Sequence, residues 1–340
     1  MAAVTQIGVD IGASSIRAAE TTRAKGGLVI RKFGHVPLPH GSVQSGVIQD
    51  DKAVTAALKH LWTTTRFRGR DVVLGVTNPQ VVVREMTLSN LPDRELRRSL
   101  PLQVGDMLPL PAERSVLDFY PLEEPGRKEK VRGLLIAAPK DAVLAAVQAV
   151  ERAGLHVTRV DLASFALLRA VSRLDSQVEA IVDIGAQVMN VVVHADGEPL
   201  IVRTIPRGGM EITEMIATRL GIDLSEAESL KCRIGLRAEE GPGTAEVVNE
   251  AVRPLISEVR SSFSYLSAGD RQTRVSRVVL SGGGSRLPGL VEALHSQLDV
   301  EVILADPLIR LRDQRRGQHH SVEQVRSTAA VSIGLTLGAA

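Results

Sequence analysis

The chain of 340 residues is poor in cysteine and in aromatic side chains. Cys232 is its single cysteine, which excludes an internal disulfide and a metal centre built from several thiolates. We expect it to be a small packed residue of a helix rather than a redox thiol. Aromatic residues make up 2% of the sequence, which argues against a stacking surface for single-stranded nucleic acid. The hydrophobic core must therefore rest on Val, Leu, Ile and Ala.

A large excess of positive charge and long apolar runs are also missing. Lys and Arg number 41 against 39 Asp and Glu, so no nucleic-acid surface is indicated. No run of about 18 uncharged apolar residues occurs, and the first residues do not resemble a signal peptide. The absence of GxxxxGK[ST] excludes a P-loop. We expect a cytoplasmic protein without a membrane span, with enough apolar residues, 44%, for a sizeable core.

Two similar segments lie almost half the chain apart. Residues 7–13 read IGVDIGA and residues 180–186 read AIVDIGA. Each segment lies on an apolar strand, and each is followed by a second strand and a hairpin. Because short shared strings rarely occur by chance in the same structural context, we interpret the two segments as an internal repeat of one strand–turn–strand unit.

The two repeated turns have the composition of an anion-binding site. Small residues in a tight turn expose successive backbone N–H groups, which together bind anions. A single turn of this type is more often an ordinary hairpin, but its repetition favours a binding role. The turn residues are Gly12, Ala13 and Ser14 in the first segment and Gly185 and Ala186 in the second.

An aspartate precedes each turn at the end of its strand. Asp10 and Asp183 would face each other across a bound polyphosphate, an arrangement suited to Mg²⁺, which prefers one or two carboxylates, phosphate oxygens and water. Arg17 lies on the strand after the first turn and is placed to reach back to the phosphates.

A third glycine-rich turn lies late in the chain. Residues 278–290 read VVLSGGGSRLPGL, a strand and a helix joined by residues small enough for a flat ligand to lie on the backbone. A dinucleotide-binding turn with Glu301 as the ribose acid is the alternative. It is disfavoured because Leu287 replaces its third glycine, and because too little chain follows for a second half.

Glu228 and Lys231 lie close together on one face of a helix predicted over 224–235, since they are three residues apart. Their spacing fits either a solvated ion pair or a pair that holds a ribose, and the sequence leaves both open.

Together these features resemble the actin-like ATPase superfamily, which includes actin, sugar kinases and the cell-division protein FtsA. Within it, the sequence resembles most the PilM family of type IV pilus assembly proteins, over essentially the whole chain. The motifs that show the resemblance are GVDIGASSIRAAE (8–20), LPDRELRRSLPLQVGDMLPLPAERSVLDFYPL (91–122), AGLHVTRVDLASFALLRA (153–170), VDIGAQVMNVVV (182–193), GGMEITEMIATRLGIDLSEAESLK (208–231), LSGGGSRLPGL (280–290) and AAVSIGLTLGA (329–339).

The resemblance implies an α/β, actin-like bilobed fold, in which two ribonuclease-H-like domains flank a nucleotide cleft and a small α+β subdomain is inserted. The implied division is 1–78 with 161–178 for the first actin-like subdomain and 79–160 for the inserted subdomain. Residues 179–207 with 275–340 would form the second actin-like subdomain, and 208–274 its helical subdomain.

The resemblance also implies ATP and Mg²⁺ as cofactors and assigns a role to each motif. Asp10 and Asp183 would hold Mg²⁺, and Asp161 would position the attacking water. The residues implied to clasp the phosphates are Gly12, Ala13, Ser14, Ser15, Arg17, Gly185, Ala186 and Gln187. Those implied to surround the adenosine are Gly208, Gly209, Glu228, Lys231, Gly282, Gly283, Gly284, Ser285 and Arg286.

Five positions depart from the family pattern, two of which, Pro101 and Gln103, interrupt a segment that is usually a regular helix. Arg17 stands where relatives usually place a lysine, and Gln187 and Met189 stand where they favour small or hydroxylated residues. Because phosphoryl transfer depends on close placement of water, metal and charge, these changes leave nucleotide binding expected and predict at most a slow ATPase.

The implied function is a cytoplasmic scaffold of a type IV pilus machine, recruited to the inner face of the membrane by the cytoplasmic N-terminal tail of a PilN-like protein. The tail would lie extended in a groove beside the inserted subdomain, and nucleotide would set the angle between the lobes. Weak self-association is left open.

Two alternative functions fit the sequence less well. An FtsA-like division adaptor requires an amphipathic C-terminal helix, whereas 327–340 predicts a packed final helix. A small-molecule kinase requires a sugar-recognition cluster, and none is evident.

Overall fold

The computed structural model describes residues 5–24, 27–123, 129–175, 177–267, 274–311 and 326–338. The strands are β1 (Thr5–Ile11), β2 (Ser15–Ala24), β3 (Gly27–Pro37), β4 (Val43–Gln44), β5 (Val47–Ile48), β6 (Asp71–Val76), β7 (Val82–Ser89), β8 (Ser115–Pro121), β9 (Lys130–Pro139), β10 (His156–Leu162), β11 (Val178–Ile184), β12 (Met189–Ala195), β13 (Glu198–Ile205), β14 (Arg277–Ser281) and β15 (Glu301–Leu304). The helices are α1 (Asp51–Thr65), α2 (Asp93–Val104), α3 (Lys140–Arg152), α4 (Ala163–Val171), α5 (Gly209–Leu220), α6 (Leu224–Ile234), α7 (Pro242–Ser267), α8 (Leu290–Leu298) and α9 (Arg326–Leu337).

Two five-stranded sheets have the same topology. Their strand orders are β3-β2-β1-β6-β10 and β13-β12-β11-β14-β15. In each sheet the first three strands form an antiparallel meander, and the last two are added in parallel. The repeat seen in the sequence as a few residues thus extends to a whole sheet, one in each lobe.

Apolar residues on both faces of these sheets explain the layered architecture. Parallel strands that are covered on both sides read as nearly continuous apolar runs, and all five residues of β14 are buried. In the first lobe, Val9 packs with Leu58 of α1 and Val150 of α3. In the second lobe, Val182 packs with Ile216 of α5 and Val252 of α7 within one core.

Helix α9 is buried on every side between α4 and the first sheet. Its residues 329–336 are all buried, which confirms the prediction of a packed final helix for the described part of that segment. Glycines permit the close approach: a Cβ on Gly334 would lie 1.9 Å from the Ala166 carbonyl oxygen, and one on Gly8 would lie 2.2 Å from that of Ser332.

The inserted subdomain has a core of its own. Its three strands are ordered β7-β9-β8, and α2 covers them by packing Leu100 against Leu88, Phe119 and Val131. None of the helices in the described ranges is long and apolar enough to span a membrane.

The predicted subdomain boundaries need adjustment. A boundary at 160 would cut through β10, which pairs with β6 of the first sheet, and would remove Ala149 of α3 from the first-lobe core. Helix α9, assigned from sequence to the second subdomain, packs on β1, β2 and α4. We propose that the inserted subdomain comprises residues 79–139, and that α3, β10, α4 and α9 belong to the first lobe.

Candidate functional site

The first turn joins β1 to β2 at the cleft. The Gly12 N–H donates to the Ser15 carbonyl oxygen at 3.0 Å. Asp10 stands at the end of β1, directly opposite Arg17 in the strand register, and Arg17 Nη1 donates to its Oδ2 at 3.1 Å. A Cβ on Gly12 would lie 3.3 Å from that Nη1 atom, so a small residue leaves room for the ion pair.

The second turn has the same backbone arrangement and additional support from α5. The Gly185 N–H donates to the Val188 carbonyl oxygen at 2.9 Å. The first N–H groups of α5, from Gly209 and Met210, donate to the Gly185 and Ala186 carbonyl oxygens at 2.9 and 2.8 Å. Helix N-termini leave such groups without intrahelical partners, and here the turn itself satisfies two of them.

Gly208, which was expected to contact the adenosine, is required by this packing of the turn. A Cβ on Gly208 would lie 2.5 Å from the Ala186 carbonyl oxygen and 2.6 Å from that of Gly185. Any larger residue would separate α5 from the second turn.

The two aspartates lie close enough to influence each other electrostatically. Burial raises the pKa of Asp10, although Arg17 opposes the shift by its charge and hydrogen bond. Burial raises the pKa of Asp183 to about 6, and the Asp10 charge adds to the increase. Hydrogen bonds from Ser281 and Asn190 and the charge of Arg17 oppose it. Two carboxylates near enough to interact, with the single guanidinium of Arg17 paired to one of them, favour the binding of a further cation.

The residues of this site fit a Mg–polyphosphate ligand. Arg17 Nε is buried and has no hydrogen-bond acceptor among the described residues, so it retains a donor for a phosphate oxygen. Within the described part of the chain no group of three or more His, Cys, Asp and Glu side chains forms a metal site. Two carboxylates are enough for Mg²⁺, which usually keeps several waters and takes its other ligands from phosphates.

Lys231 is buried and connects α6 to α5, whereas its partner Glu228 keeps about half of its side chain, 49%, exposed. Lys231 Nζ donates to Glu228 Oε2 at 2.6 Å, to Thr213 Oγ1 at 2.8 Å and to the Gly209 carbonyl oxygen at 3.0 Å. Burial raises the pKa of Glu228, but hydrogen bonds from Lys231 and Thr213 outweigh it and leave the pKa below the usual value. Cys232, expected to be packed, is exposed beside this pair.

The late glycine turn packs directly on the end of β11. Gly282 has a φ of 84°, and a Cβ there would lie 2.4 Å from the Ile184 carbonyl oxygen. A Cβ on Gly284 would lie 2.4 Å from Ile184 Cγ2, whereas one on Gly283 would meet nothing closer than 4.0 Å. Two of the three glycines are therefore required by packing, and Gly283 leaves open space.

Two neighbours complete this turn. Ser285 Oγ donates to the Gly282 carbonyl oxygen at 2.7 Å. Arg286 lies near enough to α6 for its charge to oppose the rise in the pKa of Cys232, a rise that comes mainly from burial. The turn and α6 are thus brought together, as the expected adenosine site requires.

Asp161 lies at the end of β10 and forms an ion pair with Arg169 of α4. Arg169 Nε also donates to the Gly334 carbonyl oxygen at 3.2 Å. In the sheet, Asp161 and Asp10 are both in register with Gly75, one on each side of it. Asp161 therefore lies near the cleft end of the sheet, but its carboxylate is held by Arg169.

Two contacts at the site were missed by the sequence reasoning. Gln187 of the second turn accepts a hydrogen bond from the Ser45 N–H of the β4–β5 hairpin at 2.9 Å, across the cleft. Asn190 is opposite Asp183 in the strand register, as Arg17 is opposite Asp10. The repeat offered a signal for Asn190, since aligning the two DIGA strings places it at the position of Arg17. The sequence offered no such signal for Ser45, which is distant from Gln187 along the chain.

A cleft of about 630 Å³ opens beside the second turn, within the range of small-molecule sites. Gln44 and Ser45 line it from the first lobe, and Gln187, Gly208 and Glu211 line it from the second.

Comparison with known proteins agrees with this geometry. Residues 8–340 match the family model described as type IV pilus assembly protein PilM. A solved structure of a PilM-PilN type IV pilus biogenesis complex is 27% identical, with a TM-score of 0.87 and coverage of 98% of both chains. The ADP-bound structure of MreB5 from Spiroplasma citri is 14% identical, with a TM-score of 0.57 and coverage of 98% of this chain and 95% of MreB5.

A sequence relative extends the comparison to cell division. The cell division protein FtsA of Bacillus subtilis (strain 168) is 23% identical over 354 residues, which covers 90% of this chain and 80% of FtsA. The predicted actin-like fold and the relation to FtsA are confirmed. The chain belongs to the family of type IV pilus assembly proteins called PilM.

Proposed function

We propose that this chain is an ATP-binding scaffold of a type IV pilus assembly machine, with a PilN-like inner-membrane protein as its partner. The observation that supports nucleotide binding most strongly is the pair of matching turns, each preceded by an aspartate, Asp10 in the first and Asp183 in the second. Burial raises the pKa of both carboxylates, so a bound cation would stabilise their ionised forms. Membership of the PilM family supports the assignment to a pilus machine.

In this proposal each group of residues has one task. Asp10 and Asp183 would hold Mg²⁺, which would neutralise the negative charge of the phosphates. Arg17 donates to a phosphate oxygen through Nε. The phosphates lie on Gly12, Ala13, Ser14, Ser15, Gly185, Ala186 and Gln187, and the adenosine lies among Gly208, Gly209, Glu228, Lys231, Gly282, Gly283, Gly284, Ser285 and Arg286.

Hydrolysis in this proposal is slow. Asp161 would orient the attacking water, but its ion pair with Arg169 stabilises the carboxylate in a different contact. Arg169 is also bound to α9 through the Gly334 carbonyl oxygen. Releasing Asp161 therefore requires a local rearrangement, which lowers the fraction of molecules competent for turnover.

The partner's cytoplasmic N-terminal tail would bind beside the inserted subdomain. Strand β8 is an edge strand of its sheet, and Val116 and Tyr120 on it are 43% and 57% exposed. The centroid of the Tyr120 ring lies 6.3 Å from that of the Phe165 ring. Phe165 is on α4, the helix that directly follows β10, and β10 is an edge strand of the first sheet. An extended peptide pairs readily with an exposed strand edge and places alternate side chains in neighbouring pockets. The similar PilM-PilN complex supports this choice of partner.

Location and assembly follow from that partner. The protein would lie in the cytoplasm and be recruited to the inner face of the cell membrane by the tail it binds. Weak self-association stays a prediction. An FtsA-like division adaptor is the second candidate, favoured by the relation to FtsA. The membrane tether this role needs is not supplied by α9, whose apolar residues are buried in the fold.

Binding of labelled PilN tail to this protein tests the proposal. Fluorescence anisotropy would be measured without nucleotide, with Mg-ATP, and with an Asp10→Ala/Asp183→Ala variant. We expect saturable binding whose affinity changes with Mg-ATP in the native protein only. Asp299→Asn is the matched control, because Asp299 is an exposed helix C-cap with an αL backbone that asparagine tolerates. Absence of tail binding in every condition, while ATP still binds, would exclude the pilus role and leave the nucleotide site standing.

A further inference from the structure

Asn190 has a buried side-chain amide, and the proposed function gives this amide no role. Its side chain is 3% exposed, it lies opposite Asp183 in the register of β11 and β12, and it is near enough to act as a donor that lowers the pKa of the Asp183 carboxylate. Because a carboxylate accepts hydrogen bonds, the amide nitrogen of Asn190 points to Asp183 and its oxygen points away.

The amide oxygen of Asn190 accepts two further hydrogen bonds. Thr204 Oγ1 donates to it from β13 at 3.1 Å, and Ser164 Oγ donates to it from α4 at 3.3 Å. Both lone pairs of that oxygen are then used. A single side chain therefore connects the aspartate of the second turn with a strand of the second lobe and a helix of the first.

Ser164 and Thr204 lie where three parts of the molecule meet. A small cavity there is lined by these two residues and by Thr77, Val81, Val83 and Val202, which come from the first lobe, the start of the inserted subdomain and the second lobe. Strand β13 also contacts the inserted subdomain at its other end, where Arg132 of β9 donates to Glu198 at 2.9 Å and to Glu85 of β7 at 3.1 Å. A shift of β13 would therefore change its contacts with the inserted subdomain at both ends of the strand.

A buried network of this kind transmits displacement because its members cannot rotate independently. A buried polar group that loses its hydrogen bond is left without water to replace it, so the loss is unfavourable. If Asp183 moves, Asn190 must follow it or lose its donor bond, and Thr204 and Ser164 must then adjust to keep theirs. Arg17, at the equivalent position in the first lobe, instead makes an ion pair with Asp10.

We propose that Asn190 is a positioning residue that couples the Asp183 site to the inserted subdomain through Thr204 and Ser164. The inference rests on the proposed function, since it explains how nucleotide changes the affinity for the partner's tail. Thr204 supplies the link to β13 and Ser164 the link to α4, and neither needs to touch the nucleotide.

The test is the ratio of PilN-tail affinities measured with and without Mg-ATP. Coupling between two sites typically changes affinity by about 5–150-fold. Thr204→Val keeps the shape of the side chain and removes its donor, so we expect the ratio to fall to about one while the affinity for Mg-ATP alone changes less than about twofold. Thr204→Ser restores the hydroxyl and should restore the ratio. Ser164→Ala should lower the ratio as well.

The control is Thr336→Val, which removes a buried hydroxyl whose bond, among the described residues, is to the Ile333 carbonyl oxygen within α9. It should leave the ratio at the native value. A native ratio preserved in both Thr204→Val and Ser164→Ala would overturn the role of Asn190 and leave the proposed function intact. A ratio of one in the native protein would overturn the nucleotide-responsive function together with the coupling.

Discussion

The two DIGA turns share a backbone but differ in the side chain that faces their aspartate. The closing hydrogen bonds are equivalent, from Gly12 to Ser15 at 3.0 Å and from Gly185 to Val188 at 2.9 Å. Opposite Asp10 the first lobe has a cation, Arg17. Opposite Asp183 the second lobe has the neutral Asn190.

This difference changes what each aspartate can do. The charge of Arg17 opposes the rise in the pKa of Asp10 caused by burial. At Asp183 the opposing hydrogen bonds come from the neutral side chains of Ser281 and Asn190, and burial raises the pKa of this aspartate to about 6. The two turns thus share the backbone arrangement that binds an anion. The residues opposite their aspartates differ: Arg17 balances the charge of Asp10, whereas Asn190 bonds to residues of β13 and α4.

The comparison is sharpest at the two equivalent glycines. A Cβ on Gly185 would lie 2.8 Å from the Val188 carbonyl oxygen, whereas one on Gly12 would lie 3.2 Å from that of Ser15. We therefore expect Gly185→Ala to lower the free energy of unfolding by about 1–3 kcal/mol, and Gly12→Ala to lower it by less. Urea denaturation of both variants measures this. Gly243→Ala, where a Cβ would meet nothing, is the control, and equal losses in the two turns would contradict the proposed asymmetry.

The aspartates should also differ in how they respond to pH. Since the pKa of Asp183 is raised from 3.8 to about 6, the folded nucleotide-free protein binds this proton more tightly than the unfolded chain does. The contribution of Asp183 to stability is therefore present below pH about 4 and is lost as pH rises from about 4 to about 6. Below pH about 6 the proton competes with Mg²⁺, and the affinity for Mg-ATP should fall roughly tenfold per pH unit.

Isothermal titration calorimetry of Mg-ATP binding across that range checks the pH dependence. Asp183→Asn is the reference, because it retains titration of the nucleotide's phosphates and lacks the carboxylate. Its profile should be flatter than the native one. Asp10→Asn should keep the transition and move it to lower pH, since the charge of Asp10 contributes to the raised pKa of Asp183. Parallel native and Asp183→Asn profiles would show that Asp183 does not hold the metal.

Local sequence patterns predicted the elements and both turns, but not the contacts between distant segments. Strand alternation and the repeated DIGA string sufficed for the turns, because their geometry is set within a few residues. The pattern could not indicate that β10 joins the first sheet, since strand pairing depends on tertiary contacts. The sequence pattern also could not distinguish glycines that contact a ligand from glycines that pack on a neighbouring residue. Gly282 and Gly284 pack on Ile184. Cys232 was wrongly expected to be packed.

The smallest expected effect concerns the contact across the cleft, which the second turn makes through Gln187. Its Oε1 accepts from the Ser45 N–H at 2.9 Å, whereas Ser14, at the same position of the first turn, is exposed. A neutral hydrogen bond contributes about 0.5–1.5 kcal/mol, so Gln187→Ala should speed amide hydrogen exchange at Ser45 by about two- to tenfold. Ser14→Ala is the control and should leave Ser45 unchanged. Unaltered exchange at Ser45 in Gln187→Ala would mean that the lobes are held together without this bond, and that Gln187 does not contribute to the asymmetry between the turns.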